Sequence, residues 1–290
     1  MIIVQLKGGL GNQLFQYAAG LSLAKHHNVE VKVDISELQQ PDKEIGTIRA
    51  YELNGIIRPP AIASQKEVES ITKQNVFKKY LEKLTPSHKR TIYNEKQFQF
   101  DKNFFNSGKN LYLKGYRQSE KYFKSIEQHV RHDFQLQPGL LTEVEGFEKD
   151  LRLKNSVSIH IRRGDYKNSV VQNYHGTLNE NYYQKSIDQI SAITQDPAFF
   201  IFSDDINWVK NNLKFEKPVV FVSGTISKSH YQDFYLMSLC KHNITANSSF
   251  SWWAAWLNSN PLKQVIAPHK WFSNPKPDIR DLIPDVWHKL

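Results

Sequence analysis

A single cysteine, Cys240, stands in 290 residues. No disulfide can close within the chain, which suits a reducing compartment and leaves packing to hold the fold. No Asp-x-Asp pair occurs anywhere, which counts against a carboxylate-held divalent cation. No apolar run is long enough to span a membrane and no signal peptide precedes the first strand, so a cytoplasmic protein is expected. Repeats and low-complexity tracts are missing too. What remains is length enough for two domains of about 140 residues, each with its own core.

The most informative stretch is Ser158-Ile159-His160-Ile161-Arg162-Arg163-Gly164-Asp165-Tyr166. Val157, Ile159 and Ile161 alternate with Ser158, His160 and Arg162, so a strand sends His160 and Arg162 out of one face. Gly164 lets the backbone turn where that strand ends. Two guanidiniums at the end of a buried strand are costly to desolvate, and an anion offsets that cost. Arginine grips a phosphate with two prongs. The plainer reading pairs an arginine with Asp165 in a structural ion pair.

From residue 157 onward, short apolar runs at 157–161, 199–202, 219–222, 244–246 and 265–267 read as buried strands. Helical spacing separates them, as in Tyr231, Phe234, Tyr235 and Leu239, or Trp252, Trp253, Trp256 and Leu257. Such alternation predicts a parallel sheet whose ligands lie outside the carboxyl ends of the strands. The polar clusters fall at those ends: Arg162-Arg163-Gly164-Asp165, Ser203-Asp204-Asp205, Ser223-Gly224 and Asn247-Ser248-Ser249. This half reads as one nucleotide-binding domain. Ser248 and Ser249 can cap the next helix, whose first amides and dipole suit a phosphate; a plain N-cap is the simpler reading. The tryptophans read as core. Asp205 precedes Ile206-Asn207-Trp208-Val209, where an acid caps a helix, and capping with contacts to ribose or base is preferred to a metal.

Near the amino terminus an apolar strand at 2–6 runs into Lys7-Gly8-Gly9-Leu10-Gly11-Asn12-Gln13. Leu14, Tyr17, Ala18 and Leu21 then give a helix its buried stripe, and Val29, Val31 and Val33 alternate into Asp34. The pattern approaches a dinucleotide fingerprint, with an acid about 20 residues on. Leu14, however, takes the place of the third glycine, where helix and strand must approach closely. That counts against a nicotinamide oxidoreductase. The glycines predict a close backbone approach to a ligand, with the amides of Asn12 and Gln13 free to hydrogen-bond.

Taken together, these segments resemble glycosyltransferase family 11, the α-1,2-fucosyltransferase family. The resemblance rests on Gly8-Gly9-Leu10-Gly11-Asn12-Gln13-Leu14-Phe15-Gln16-Tyr17, Gly115-Tyr116-Arg117-Gln118-Ser119-Glu120-Lys121-Tyr122-Phe123 and the His160–Tyr166 stretch. Phe202-Ser203-Asp204-Asp205, Asn247-Ser248-Ser249-Phe250-Ser251-Trp252-Trp253 and Ala267-Pro268-His269-Lys270-Trp271-Phe272 follow in order. It implies an α/β fold of two Rossmann-like domains facing across a cleft, a GT-B-like arrangement. It implies inverting, metal-free transfer of L-fucose from GDP-β-L-fucose to a sugar hydroxyl, with O-2 of a terminal galactose in an O-antigen or similar glycan expected. Relatives with another linkage or donor stay open. Animal relatives carry a membrane anchor, so a bacterial cytoplasmic enzyme is implied here.

By the same resemblance Arg162 holds the diphosphate, Asn12 lies near the reacting sugar, and Ser248, Ser249 and Phe250 line the phosphate. Asp205, Asn247 and Gly11 complete the expected donor site, while Gln13, Tyr116 and Gln118 are expected at the acceptor or cleft. Asp165, His160 or an acid of the amino-terminal half could serve as base. No cofactor beyond the donor substrate is expected.

The net charge of +9 attracts nucleotides, nucleic acids or anionic lipid. A nucleic-acid binder would show a basic surface stripe with exposed aromatics. Here the key arginines follow a buried strand, so no nucleic-acid partner is expected. Lysines crowd between Lys66 and Arg90, with Val76, Tyr80, Lys83 and Leu84 at roughly helical spacing. A solvated helix is preferred there to one resting on a membrane surface. Leu136-Gln137-Pro138-Gly139 marks the domain junction, giving 1–139 to the acceptor side and 140–290 to the GDP-sugar side. The tail after Trp271 is expected to pack back across it.

Overall fold

The computed structural model describes residues 1–41, 48–73, 84–163, 176–273 and 277–290. Asp165 and the middle of the basic stretch, 74–83, lie outside them. Two compact units comprise Met1–Gln135 with Pro277–Pro284, and Leu136–Lys276 with Asp285–Leu290. Pro277–Pro284 thus belongs with the first unit, although it follows most of the second in sequence. Among the described residues no helix is long and apolar enough to cross a membrane.

The first unit is built on five parallel strands: β1 (Ile2–Gln5), β2 (Val31–Asp34), β3 (Ala61–Ile62), β4 (Ile92–Asn94) and β5 (Leu111–Lys114). They lie in the order β3-β2-β1-β5-β4. β1, the helix Leu10–His27 and β2 stand where the apolar patterning predicts them. Helix and strand do approach closely, but at Gly20 rather than at Leu14: a Cβ on Gly20 would run into the Val4 side chain. A glycine inside a helix costs about 1 kcal/mol relative to alanine, and here the contact with β1 requires it.

In the second unit β6 (Asn155–Ile161), β7 (Pro197–Ser203), β8 (Val219–Phe221), β9 (His242–Ile244), β10 (Val265–Ala267) and β11 (His288–Lys289) are also parallel. Read from one edge the order is β8-β7-β6-β9-β10-β11. This is the Rossmann order, with its switch point between β6 and β9, where the crevice for a ligand opens. Val157, Ile159 and Ile161 pack against Tyr182, Tyr183, Ile187 and Ile190 of the helix Glu180–Ile193. His160 therefore faces the other way, as alternation requires.

β9 begins two residues before the apolar run that announced it, and ends at Ile244 rather than 246. Its polar member is Asn243, only 2% exposed. The Asn243 Nδ2 donates to Ser158 Oγ at 2.7 Å and to the Met237 carbonyl at 2.8 Å. With both donors satisfied, an amide can enter a central strand. Trp252 and Trp253 are fully buried, as the helical spacing predicts.

Candidate active site

β6 and β7 pair in register along their whole length, from Asn155 opposite Pro197 to Ile161 opposite Ser203. The residues that follow therefore emerge side by side. Arg162 Nε lies 3.4 Å from Asp204 Oδ2, and Asp204 Oδ1 accepts the Arg163 amide at 2.8 Å. One carboxylate thus holds both a guanidinium and the backbone behind it. The two side chains keep 33% and 28% of their surface in water, so the pair adds little to stability. Its effect is to aim Arg162. Arg163 lays its own guanidinium over the Trp208 ring, 4.1 Å from the centroid.

Asp204 is thus an acid beside Arg162 that the sequence reading did not single out, while Asp165 lies outside the described residues. Asp205 caps the helix Ile206–Asn212, accepting the Trp208 amide at 3.1 Å. That capping is as expected. Behind them Asp233 accepts the hydroxyls of Ser223 and Ser227, and Ser223 Oγ accepts the Ser203 amide at 3.1 Å. The strand end is braced before any ligand arrives.

His160 is buried against Phe250, ring centroids 5.6 Å apart, and Phe250 in turn lies 5.4 Å from Phe234. Burial, then the charge of Arg162, lowers its pKa to about 3. The imidazole is neutral and takes protons poorly, so His160 is set aside as a general base. Its Nδ1 is buried with no hydrogen-bond partner among the described residues.

Across the switch point the helix Ser249–Leu257 begins. Ser248 is its N-cap and accepts the Phe250 amide on Oγ at 3.3 Å, so the simpler capping reading describes this turn as it stands. Ser248, Ser249 and Phe250 are half-buried. Asn247, expected at the donor, is buried. It donates to the carbonyls of Gly176 and Trp271, at 3.0 and 3.1 Å, and so ties loops together.

In the first unit the turn after β1 is held from inside. The amides of Asn12 and Gln13 are not free: both donate to the Gly9 carbonyl, at 3.0 and 3.1 Å. Gln13 is fully buried; its Nε2 donates to the Gly8 and Ala50 carbonyls at 2.8 Å, and its Oε1 accepts the Glu52 amide at 2.9 Å. Gln16 clamps Lys7 through both amide and carbonyl. Gln13 is a brace for the turn rather than a group facing an acceptor, and Gly11 is buried in the helix's first turn. Asn12 differs. It is half-buried, and its Oδ1 accepts Gln118 Nε2 at 2.7 Å. Beyond the end of β5, the Tyr116 ring lies under Lys7 Nζ, 4.1 Å from its centroid. Asn12 and Gln118 therefore meet, and Tyr116 lies in the same short loop as Gln118.

Among the described residues no three of His, Cys, Asp and Glu are grouped as metal ligands would be.

The family pattern described as glycosyl transferase family 11 matches residues 1–278. The chain is 32% identical to the alpha-1,2-colitosyltransferase of Escherichia coli, over 100% of this chain and 99% of that protein. It is also 32% identical to the O-antigen biosynthesis glycosyltransferase WbnK of Escherichia coli, over 92% of this chain and 94% of that one. Among solved structures, POFUT1 in complex with GDP-fucose aligns with a TM-score of 0.51 at 13% identity, covering 92% of this chain and 97% of that one. At that identity the likeness concerns the fold alone, the GT-B type with its two Rossmann-like units.

Proposed function

The chain belongs to glycosyltransferase family 11, and on that premise we propose that it moves L-fucose from GDP-β-L-fucose, with inversion, to O-2 of a terminal galactose on an oligosaccharide or lipid-linked glycan. The observation that carries this reading is the Arg162–Asp204 pair at the end of the central strand of a Rossmann unit. When the bond from the anomeric carbon to the β-phosphate oxygen breaks, its electron pair leaves with GDP and charge builds on the diphosphate. Arg162 is aimed at that charge, and the half-buried Ser248–Phe250 turn adds the positive end of a helix dipole. Loss of one such preorganised donor costs about 100- to 1000-fold in rate. In this reading these groups supply the positive charge that a metal would bring.

The acceptor oxygen attacks the opposite face of the sugar and gives up its proton. Of the three expected bases His160 is removed by its burial, leaving Asp165 and a carboxylate of the first unit. Asp205 and Ser249 complete the donor's surroundings. Asn12, Tyr116 and Gln118 form the acceptor side: a partly open ring for the apolar face of a pyranose, with amides for its hydroxyls. The net charge of +9 suits work beside anionic lipid, where lipid-linked glycans are assembled.

A second reading keeps this chemistry and changes the donor sugar. It is favoured by one observation, that the relative matched over the full chain is a colitosyltransferase. Incubation with GDP-fucose or GDP-colitose, EDTA and a panel of galactose-terminated acceptors separates the two. Release of GDP with a fucosylated product, its α-1,2 linkage read by NMR, is the expected result. Turnover with the colitose donor alone selects the second reading. Absence of both turnover and GDP binding contradicts both readings.

A further inference from the structure

Gly115, at φ +121°, and Arg117, at φ +51°, both lie in the left-handed region of backbone space. An arginine gains nothing intrinsic from that conformation, which L side chains adopt reluctantly. Something must hold it. The Arg117 side chain is 2% exposed, and its guanidinium sits over Tyr93 and Phe104, 4.5 and 5.0 Å from their centroids. Its Nη2 donates to the Tyr93 carbonyl at 3.2 Å. A buried cation is stabilised by the faces of aromatic rings, yet rings alone do not fix a backbone.

The backbone is fixed by Glu95. Its two carboxylate oxygens accept successive amides, Tyr116 N–H at 2.7 Å and Arg117 N–H at 2.9 Å. Its own amide donates to the Lys114 carbonyl at 2.9 Å, which anchors Glu95 to the end of β5. Gly115 is required because a Cβ there would run into the Glu95 side chain. Two consecutive N–H groups closing on an anion form a nest; burial raises the Glu95 pKa, and the charge of Arg117 and the two amides oppose that rise. The residue next in the chain is Gln118, which reaches Asn12, and the residue before Arg117 is Tyr116, beneath Lys7.

We propose that Glu95 is a positioning residue for the acceptor sugar, holding the 115–118 turn in the one shape that presents Tyr116 and joins Gln118 to Asn12. This rests on the reading of Asn12, Tyr116 and Gln118 as acceptor-side groups. Glu95 itself touches no reacting atom. The isosteric Glu95→Gln tests it, because a carboxamide accepts one of the two amides and turns an N–H towards the other.

Lactose and N-acetyllactosamine serve as acceptors, and GDP affinity, governed by the second unit, serves as the internal control. In E95Q the acceptor KM is expected to rise about tenfold or more, the scale of a charge-assisted hydrogen bond lost. GDP affinity should stay within about twofold of wild type, and hydrogen exchange at the Tyr116 and Arg117 amides should accelerate about tenfold or more. Glu95→Ala, which leaves both amides unpaired, should exceed E95Q in both respects. A wild type that transfers while E95Q keeps its acceptor KM and amide protection overturns the inference alone. Parallel loss of GDP affinity and acceptor binding overturns it too, since that marks general unfolding. A wild type that transfers nothing to any glycan overturns the reading of function, and the inference with it.

Discussion

Arg162 and Asp204 face each other at the ends of two strands in register, Nε to Oδ2 3.4 Å, while the same carboxylate takes the Arg163 amide. The relationship follows from pairing. Once β6 and β7 align, the residue after Ile161 must stand beside the residue after Ser203. A guanidinium held on one side by a carboxylate is pre-aimed, so less side-chain freedom is lost when a phosphate arrives.

Asp204→Asn should therefore weaken donor binding without unfolding the protein. The asparagine Oδ1 can still accept the Arg163 amide, whereas the ionic hold on Arg162 is gone. GDP affinity is expected to fall about tenfold, the scale of one charge-assisted contact. Calorimetry with GDP reads this directly, and wild-type affinity in D204N would contradict the role given to Asp204.

His160 predicts an acid sensitivity. Its pKa is about 3 in the folded protein against 6.5 for a free imidazole. Above pH 6.5 neither state carries the proton, and the full stability is present. As pH falls from there towards 3 only the unfolded chain takes it up, so stability drops by about 1.4 kcal/mol per pH unit. Urea unfolding at pH 7 and pH 5 should show wild type losing about 2 kcal/mol more than His160→Gln. Equal losses would mean that His160 is not held neutral.

Gly20→Ala separates packing from propensity. Alanine is the better helix former by about 1 kcal/mol, so an open site would gain stability. Here the added methyl meets Val4. Overpacking of this kind costs typically 1–3 kcal/mol, and a lowered Tm is expected. A raised Tm would show that helix and β1 are not in close contact.

What the sequence disclosed, and what it did not, divides along physical lines. β7 was legible from Phe199 onward as a continuous apolar run, and β6 from the alternation of Val157, Ile159 and Ile161 with polar residues. β9 was displaced because Asn243 enters the sheet only by virtue of bonds to Ser158 and Met237, partners distant in sequence or set by the fold. Motif spacing singled out Arg162, Ser248, Asn12 and Gln13 alike. In the fold the Gln13 amide is engaged by Gly8, Ala50 and Glu52. A glutamine that braces a turn and one that meets a sugar look the same in a one-dimensional pattern. Asp204 could have been found by laying 157–161 against 199–203 as neighbouring strands. Glu95 carried no such signal, because its partners are backbone amides, which any residue supplies.

The central claim is that Arg162 holds the donor diphosphate, and GDP binding to wild type and to Arg162→Ala, compared by calorimetry in EDTA, tests it most directly. Wild type should bind, and R162A should lose about 100-fold or more in affinity while its circular dichroism is unchanged, the scale set by a bidentate charged contact. R162A binding GDP as wild type does would contradict the claim, and the anion site at the end of β6 would have to be given up.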